Sequence, residues 1–318
     1  MIVESEADLT DAVLAELERA PDGRFKEIMR AAVRHLHDFV RDARLTEAEF
    51  RQACGVIATL GQATTPSHNE VVLAAGSLGV SALVCLLNNV GSDSAATTAN
   101  LMGPFWRQGA PVLASGASIV RSPTPGDPLF VNAWVRDTAG RPVEGAEVHV
   151  WQASAEGFYE NQDPGQADMN LRGRFVTDTK GHIAFRSVKP AGYPIPVGGP
   201  VGALLRAQGR HNMRPAHIHF LIHKPGYKPQ FSQVYSSDDP HLETDVQFGV
   251  TRALVGQYVL HDGEPAPAAD VPGRWYSLDH HFAIAQGDDT LPPAPITAKA
   301  DGPRPQLVVL RRTDSGGG

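Results

Sequence analysis

The chain is poor in cysteine, in runs of like charge and in long apolar stretches. It holds two cysteines, Cys54 and Cys85, in 318 residues. Both lie in apolar, helix-like surroundings, "RQACGVIATL" and "SALVCLLNNV", and two thiols build no disulfide framework. They are expected to be buried and reduced, as in a cytoplasmic protein. The formal charge is −7 and no long basic run occurs, which argues against a nucleic-acid grip built on counterion replacement. An anionic substrate stays open, because local charge matters more than the sum. The longest apolar stretch, residues 71–87, is broken by Gly and Ser and is too short to span a bilayer, so no membrane insertion is expected. "MIVESEADLT" is acidic and lacks the basic-then-apolar pattern of an export signal, which again suits the cytoplasm. No repeat of fixed period is present.

What is there divides in two. Hydrophobic residues make up 42% and charged residues 20%, the balance of a soluble globular protein. From Leu9 to Asn89 apolar positions recur every three or four residues, as in Phe25, Met29, Val33, Leu36 and Val40. Phe50, Cys54, Ile57 and Leu60 continue the pattern after "TEAE" at Thr46–Glu49, a capping-box signature. Four or five helices are expected. The last, residues 69–88, is apolar nearly all round and calls for burial within the chain or against a partner chain. After "GPFWRQGAP" (103–111) Gly and Pro become dense and short alternating runs appear. "LFVNAWVRD", "AEVHVWQAS", "GRFVTDTKGHIAFRSV", "HIHFLIHK", "QFSQVYSS" and "PQLVVLRR" are expected as strands, with "TKGH" (179–182) as a hairpin turn and "TDSGGG" as a frayed tail. The fold class is therefore α+β: a helical region, residues 1–105, followed by an antiparallel β-sandwich, residues 106–318, with long loops.

Two of those loops draw attention. "GFYENQDPGQADMNLRGRF" (157–175) and "SVKPAGYPIPVGGPVGALLRAQGRHNMRPAH" (187–217) are long for a compact sandwich, and loops of that length are usually functional or disordered. Each carries a tyrosine beside a rigid turn, Tyr159 and Tyr193. The second leads into "RPAHIHF" (214–220), where His217 and His219 point to the same face of a strand. Two imidazoles on one face can share a metal ion or simply pack as hydrogen-bonded residues. Tyrosines on loops are most often amphipathic packing residues. Phenolate and imidazole together suit a hard ferric ion, whereas zinc is more often given Cys, His and carboxylate.

The order Tyr159, Tyr193, His217, His219, set in "GFYENQDP", "KPAGYPIP" and "GRHNMRPAHIHF", resembles the intradiol ring-cleaving dioxygenases, a family that includes catechol, chlorocatechol and hydroxyquinol 1,2-dioxygenases. The resemblance extends over "SLGVSALV", "GPFW", "SQVY" and "DVQFGVTRALV", and "ENQDPGQADMNLRGRF" looks closest to the hydroxyquinol enzymes. It implies one Fe(III) per subunit, held by Tyr159, Tyr193, His217, His219 and a hydroxide. It implies that Tyr193 is the axial tyrosinate, which leaves to act as a base, and that Arg214 and Gln233 serve catalysis. On residue chemistry alone Arg214 could equally be an ion-paired brace and Gln233 a strand-to-strand link. Pocket walls are expected from Leu73, Gly76, Gly103, Pro104, Phe105, Ile195 and Pro196. The implied reaction inserts O₂ into a small aromatic diol or triol, hydroxyquinol first and catechol or chloro- and methylcatechols as the alternative. The helical region is implied to pair two subunits around bound phospholipid.

Departures from the family pattern matter too. Hydroxyquinol enzymes commonly have an acidic residue where "LAAGSLG" has Gly76, and the glycine is expected to make room for a bulkier ring. Gln247 stands where relatives often have an apolar residue. His211, His223, His280 and His281 are expected to be structural. A cupin-like metal site is a competing reading, but it wants a carboxylate soon after His219, and only Asp238 and Asp239 precede Glu243. A transthyretin-like binding module is another, though it would need no helical half.

Overall fold

A computed structural model describes residues 2–89, 95–271 and 273–312. The expected frayed tail, "TDSGGG", lies outside the described residues. The backbone groups into two compact units, Met1–Ala58 and Thr59–Gly318. The change of sequence texture near residue 105 therefore falls inside the second unit.

The first unit is helical. Helix α1 (Glu6–Leu17) is capped by Ser5, whose side chain accepts from the Asp8 N–H, and α2 (Gly23–Ala43) by Asp22. Helix α3 (Glu47–Gln62) begins with the expected capping box: Thr46 N–H donates to Glu49 Oε2 at 2.9 Å and Glu49 N–H to Thr46 Oγ1 at 3.3 Å. Helix α2 buries none of its residues, and Leu36, Phe39, Phe50 and Ile57 stand exposed. Cys54 is exposed and Cys85 only partly covered, against the expectation of burial. The periodicity marks an apolar face: Met29 and Val33 are half-buried, while Phe25, Leu36, Val40, Phe50 and Ile57 on the same stripes stand exposed among the described residues.

In the second unit the expected single helix over 69–88 is two, α4 (Glu70–Ser77) and α5 (Val80–Asn89), bent by 75°. Gly79 makes the break at φ +73°, a conformation open to glycine. No single helix among the described residues is long and apolar enough to cross a membrane; the bent pair passes by composition, but Leu73 and Ala74 of α4 are buried in the protein.

The sandwich has one sheet in the order β10 (Val259–His261), β11 (Trp275–Ile284), β1 (Pro128–Asp137), β4 (His182–Val188). The facing sheet runs β3 (Arg172–Val176), β2 (Glu147–Gln152), β7 (His217–His223), β8 (Gln230–Ser236), β9 (Val255–Gly256). Pairing is antiparallel except for β1 with β11 and β8 with β9. Strands β3 and β4 lie in different sheets, so the turn at 179–182 crosses the sandwich and does not close a hairpin. A local turn signal specifies a reversal of direction, not the partner that follows. The alternation of β1 sends Leu129, Val131, Ala133 and Val135 inward against Val148, Phe175, Phe185, Phe220 and Phe282. Each such side chain contributes about 1.5–3 kcal/mol by leaving water.

Strand β7 positions the site. Ile218, Phe220 and Ile222 face the sandwich core, so His217, His219 and Leu221 face outward. That outer face is roofed by the two long connections, which carry the short ladder β5 (Tyr193–Pro194) with β6 (Met213–Arg214) and helix α6 (Pro200–Ala207). The roof forms a second apolar cluster with Leu73, Phe105, Trp151, Ile195 and Val201. "PQLVVLRR" is irregular rather than a strand: its backbone bonds go to a side chain, Asn212, instead of to a sheet edge.

Candidate metal centre

Four polar atoms converge under the roof. Tyr159 Oη lies 2.9 Å from His219 Nε2, 3.4 Å from His217 Nε2 and 3.2 Å from Tyr193 Oη, and the two Nε2 atoms are 3.1 Å apart. All four side chains are buried. The roles of the ring nitrogens follow from their neighbours. His217 Nδ1 donates to the Pro215 carbonyl at 2.6 Å, which leaves Nε2 with its lone pair. His219 lies flat on the Trp151 indole, with centroids 4.6 Å apart and planes 9° from parallel. Tyr159 heads a short helical turn; its N–H donates to Gln162 Oε1 at 3.1 Å, and its ring meets Phe105 at 4.6 Å.

The donor set fits a metal ion. Burial and the adjacent Arg214 hold His217 neutral, its pKa lowered to about 3. Burial and His217 push His219 well down as well. His219 Nδ1 has no hydrogen-bond partner in the protein, so His219 can turn either nitrogen's lone pair outward, and its Nε2, 3.1 Å from His217 Nε2, is placed to share a cation with it. Ligands about 2.0–2.1 Å from a common ion are separated by roughly 2.9–3.4 Å at angles between square and tetrahedral, the range seen here. Burial, with Tyr193 beside it, raises the Tyr159 phenol, and burial raises Tyr193, so both ionise only where a strong positive charge offsets desolvation. Among the described residues no group of three or more His, Cys, Asp or Glu could hold a metal, because half of this set is phenolic. The cupin reading therefore lacks its carboxylate.

Arg214, fully buried, is held beside this cluster. Its Nε and Nη2 donate to the Asp245 carboxylate at 3.1 Å each, and Nη2 also to Gln233 Oε1 at 2.8 Å and Tyr235 Oη at 3.0 Å. Nη1 lies 3.4 Å from His217 Nε2. Gln233 has little left for a substrate: its Oε1 also accepts from Tyr235 Oη at 2.8 Å, and its Nε2 donates to the Leu101 carbonyl at 2.7 Å.

A cavity of about 150 Å³ opens onto Tyr193 and Arg214. Leu73, Gly103, Pro104, Phe105 and Ile195 line it, together with Val72, Met102 and Gln247. Pro196 does not; it faces other cavities on the far side of the Tyr193 loop. Gly76 does not line it either. A Cβ there would overlap Gln247 Oε1, so the space that the glycine was expected to leave for a bulkier ring is filled by the Gln247 amide.

Residues 101–276 match the family model described as dioxygenase, and residues 22–96 match that of the catechol dioxygenase N terminus. A 6-chlorohydroxyquinol 1,2-dioxygenase of Cupriavidus pinatubonensis is 41% identical over 278 residues, covering 87% of this chain and 96% of that protein. A hydroxyquinol 1,2-dioxygenase of a Rhizobium species is 38% identical over 279 residues, with 87% and 94% covered. The solved structure of hydroxyquinol 1,2-dioxygenase from Pseudomonas putida DLL-E4 superposes with a TM-score of 0.80 at 38% identity, over 89% of this chain and 99% of that one. The chain belongs to the intradiol ring-cleavage dioxygenase family.

Within this dioxygenase the remaining histidines stand apart from the cluster. His223 Nε2 meets the Asp289 carbonyl at 3.1 Å, His211 Nδ1 accepts from the Met213 N–H at 3.0 Å, and His281 stacks on Trp134. His280 is buried in the dioxygenase, and burial lowers its pKa to about 4. Several residues that support the site lie within the motifs that carry the resemblance, but no local pattern shows what each one holds. Asp245 and Tyr235 hold Arg214 from positions far along the chain. Glu160, next to Tyr159, accepts from Arg172 Nε at 2.7 Å and Arg107 Nη1 at 2.8 Å, while Arg172 Nη1 also donates to the Phe105 carbonyl at 2.7 Å. That buried network ties the Tyr159 turn to a cavity wall.

Proposed function

We propose that the chain converts hydroxyquinol, benzene-1,2,4-triol, and O₂ into 3-hydroxy-cis,cis-muconate, the enol form of maleylacetate. Both oxygen atoms enter the product as the ring opens between adjacent hydroxyl-bearing carbons. One Fe(III) per chain would be held by Tyr159, Tyr193, His217 and His219. Bound there, it would supply the Lewis acidity that makes a chelated diol reactive toward dioxygen. The convergence of two phenols and two neutral imidazoles carries this reading.

The chain's own residues divide the remaining work. Tyr193 lines the cavity and sits on a strand of two residues, whereas Tyr159 is locked by Phe105, Gln162 and the Glu160 network. Tyr193 is thus the phenol free to leave the cluster and hold a proton taken from a substrate hydroxyl on its Oη; a free phenol has a pKa near 10. Arg214, fixed by Asp245 and Gln233, presents positive charge to the substrate oxygens. Gln233 acts through Arg214, as its own polar atoms are already engaged. Pro104, Phe105 and Ile195 hold a flat ring and exclude water. Two copies pair through their N-terminal helices, with phospholipid between them; the exposed Leu36, Phe39, Phe50 and Ile57 support the pairing. Cys54 and Cys85 are not joined in a disulfide, which suits the cytoplasm.

Oxygen uptake and product spectra on hydroxyquinol, catechol, 4-chlorocatechol and 3-methylcatechol test the reaction. Muconate-type products are expected, with hydroxyquinol preferred. Yellow semialdehydes would overturn the cleavage position. Tyr193→Phe should slow turnover far more than it lowers iron content; equal losses would remove the base role.

A further inference from the structure

Residues 303–310 form a strap across both tyrosine-bearing loops. At one end Arg304 pairs with Glu156 at 3.2 Å and Asp163 at 3.5 Å and lies 4.0 Å over the Phe158 ring, all beside Tyr159. At the other end the strap meets Asn212, a fully buried carboxamide. Asn212 Nδ2 donates to the Val308 carbonyl at 2.9 Å and to the Ile195 carbonyl at 2.8 Å, and its Oδ1 accepts from the Leu310 N–H at 2.8 Å. The Asn212 backbone carbonyl accepts from the Ile195 N–H at 2.8 Å. One side chain therefore joins the strap to the peptide two residues after Tyr193.

Tyr193 needs such a clasp more than Tyr159 does. Beyond Asn212, its segment is laddered only through the two-residue pairing of β5 with β6. Between strap and segment remains a void of about 30 Å³, bordered by Tyr193, Pro194, Ile195, Leu307 and Val308. Tyr193, Ile195 and Val197 pack into the buried cluster on one side, and on the strap side the hydrogen bonds of Asn212 join segment to strap, so those bonds govern how far the two can part.

We propose that Asn212 and the strap are positioning elements that set how firmly Tyr193 stays at the metal cluster. This rests on the reading of Tyr193 as an exchangeable ligand. A substrate that displaces Tyr193 competes with it, so loosening the clasp helps substrate bind but slows the return of Tyr193 after product leaves. KM and kcat should then both fall.

The test uses the iron-loaded full-length enzyme as Asn212→Leu and, separately, Leu310→Pro, which removes the strap's N–H to Asn212 Oδ1 and leaves Asn212 itself in place. The substrate-free tyrosinate absorbance in the visible should weaken in both, and KM should fall about threefold to tenfold, the range expected for loss of a hydrogen bond. Unchanged absorbance with an unchanged or raised KM, whatever the loss in Tm, would reduce the strap to a structural role. Tyr193→Phe separates the two levels. If it leaves the visible band intact, Tyr193 is no ligand and the proposal falls with that reading. If it diminishes the band while Asn212→Leu and Leu310→Pro do not, only the proposal about the strap fails.

Discussion

Gln247 occupies the space that a side chain on Gly76 would take. Its Nε2 donates to Ser77 Oγ at 2.9 Å and to the Leu73 carbonyl at 3.4 Å, which fixes the amide and leaves Oε1 as an acceptor beside the cavity. A substituent hydroxyl on a ring bound in the cavity would find a partner there; a hydrogen or chlorine would not. A polar site that loses its hydrogen bond discriminates far more strongly than an apolar one that gains a group. Gln247→Leu should lower kcat/KM for hydroxyquinol relative to catechol by about tenfold or more. Gly76→Ala, which forces the amide aside, should shift the ratio the same way. An unchanged ratio in steady-state oxygen uptake would remove Gln247 from substrate choice.

Asp245 and Arg214 form a buried ion pair whose stability depends on pH in a definite direction. Burial pushes the Asp245 carboxyl up, but the Arg214 guanidinium and the N–H groups of Gly249 and Gln247 override it and hold the group below its ordinary 3.8. The folded value lies below the unfolded one, so the stabilisation is fully present above the unfolded value, about 4, and is lost as pH falls through the folded value. Asp245→Asn should therefore unfold more easily than wild type at pH 7, with the gap closing below about pH 4. A gap in denaturant midpoint that is constant with pH would contradict this.

Arg172 is buried with Glu160 and reaches the Phe105 carbonyl and Asn161 as well. Arg172→Met leaves Glu160 with Arg107 alone, and breaking a buried pair on one side costs about 3–5 kcal/mol. Urea unfolding should show that loss, together with a rise in KM as the Phe105 wall and the Tyr159 turn loosen. A loss below about 1 kcal/mol, the scale of a surface pair, would mean that the network adds little.

The four converging side chains are legible in the sequence because each sits in its own short motif, and because strand alternation alone puts His217 and His219 on one face. The helical half is legible from its period, and the α3 start from Thr46 and Glu49. What covers a face is not. Cys54 and Ile57 mark an apolar stripe, yet remain exposed in the single chain. Alternation in "PQLVVLRR" suggests a strand, but the partner of Val308 and Leu310 is the Asn212 carboxamide. The break at Gly79 hides in a run of apolar residues. Gly76 and Gln247, or Arg214 and Asp245, meet only through the fold, so no local pattern announces either pair.

Iron content measured together with the visible spectrum of the purified protein tests the metal centre most directly. About one iron per chain is expected, with a red-brown tyrosinate-to-iron band that weakens in both Tyr159→Phe and Tyr193→Phe. A colourless protein without iron that still cleaves hydroxyquinol at the full rate would contradict this.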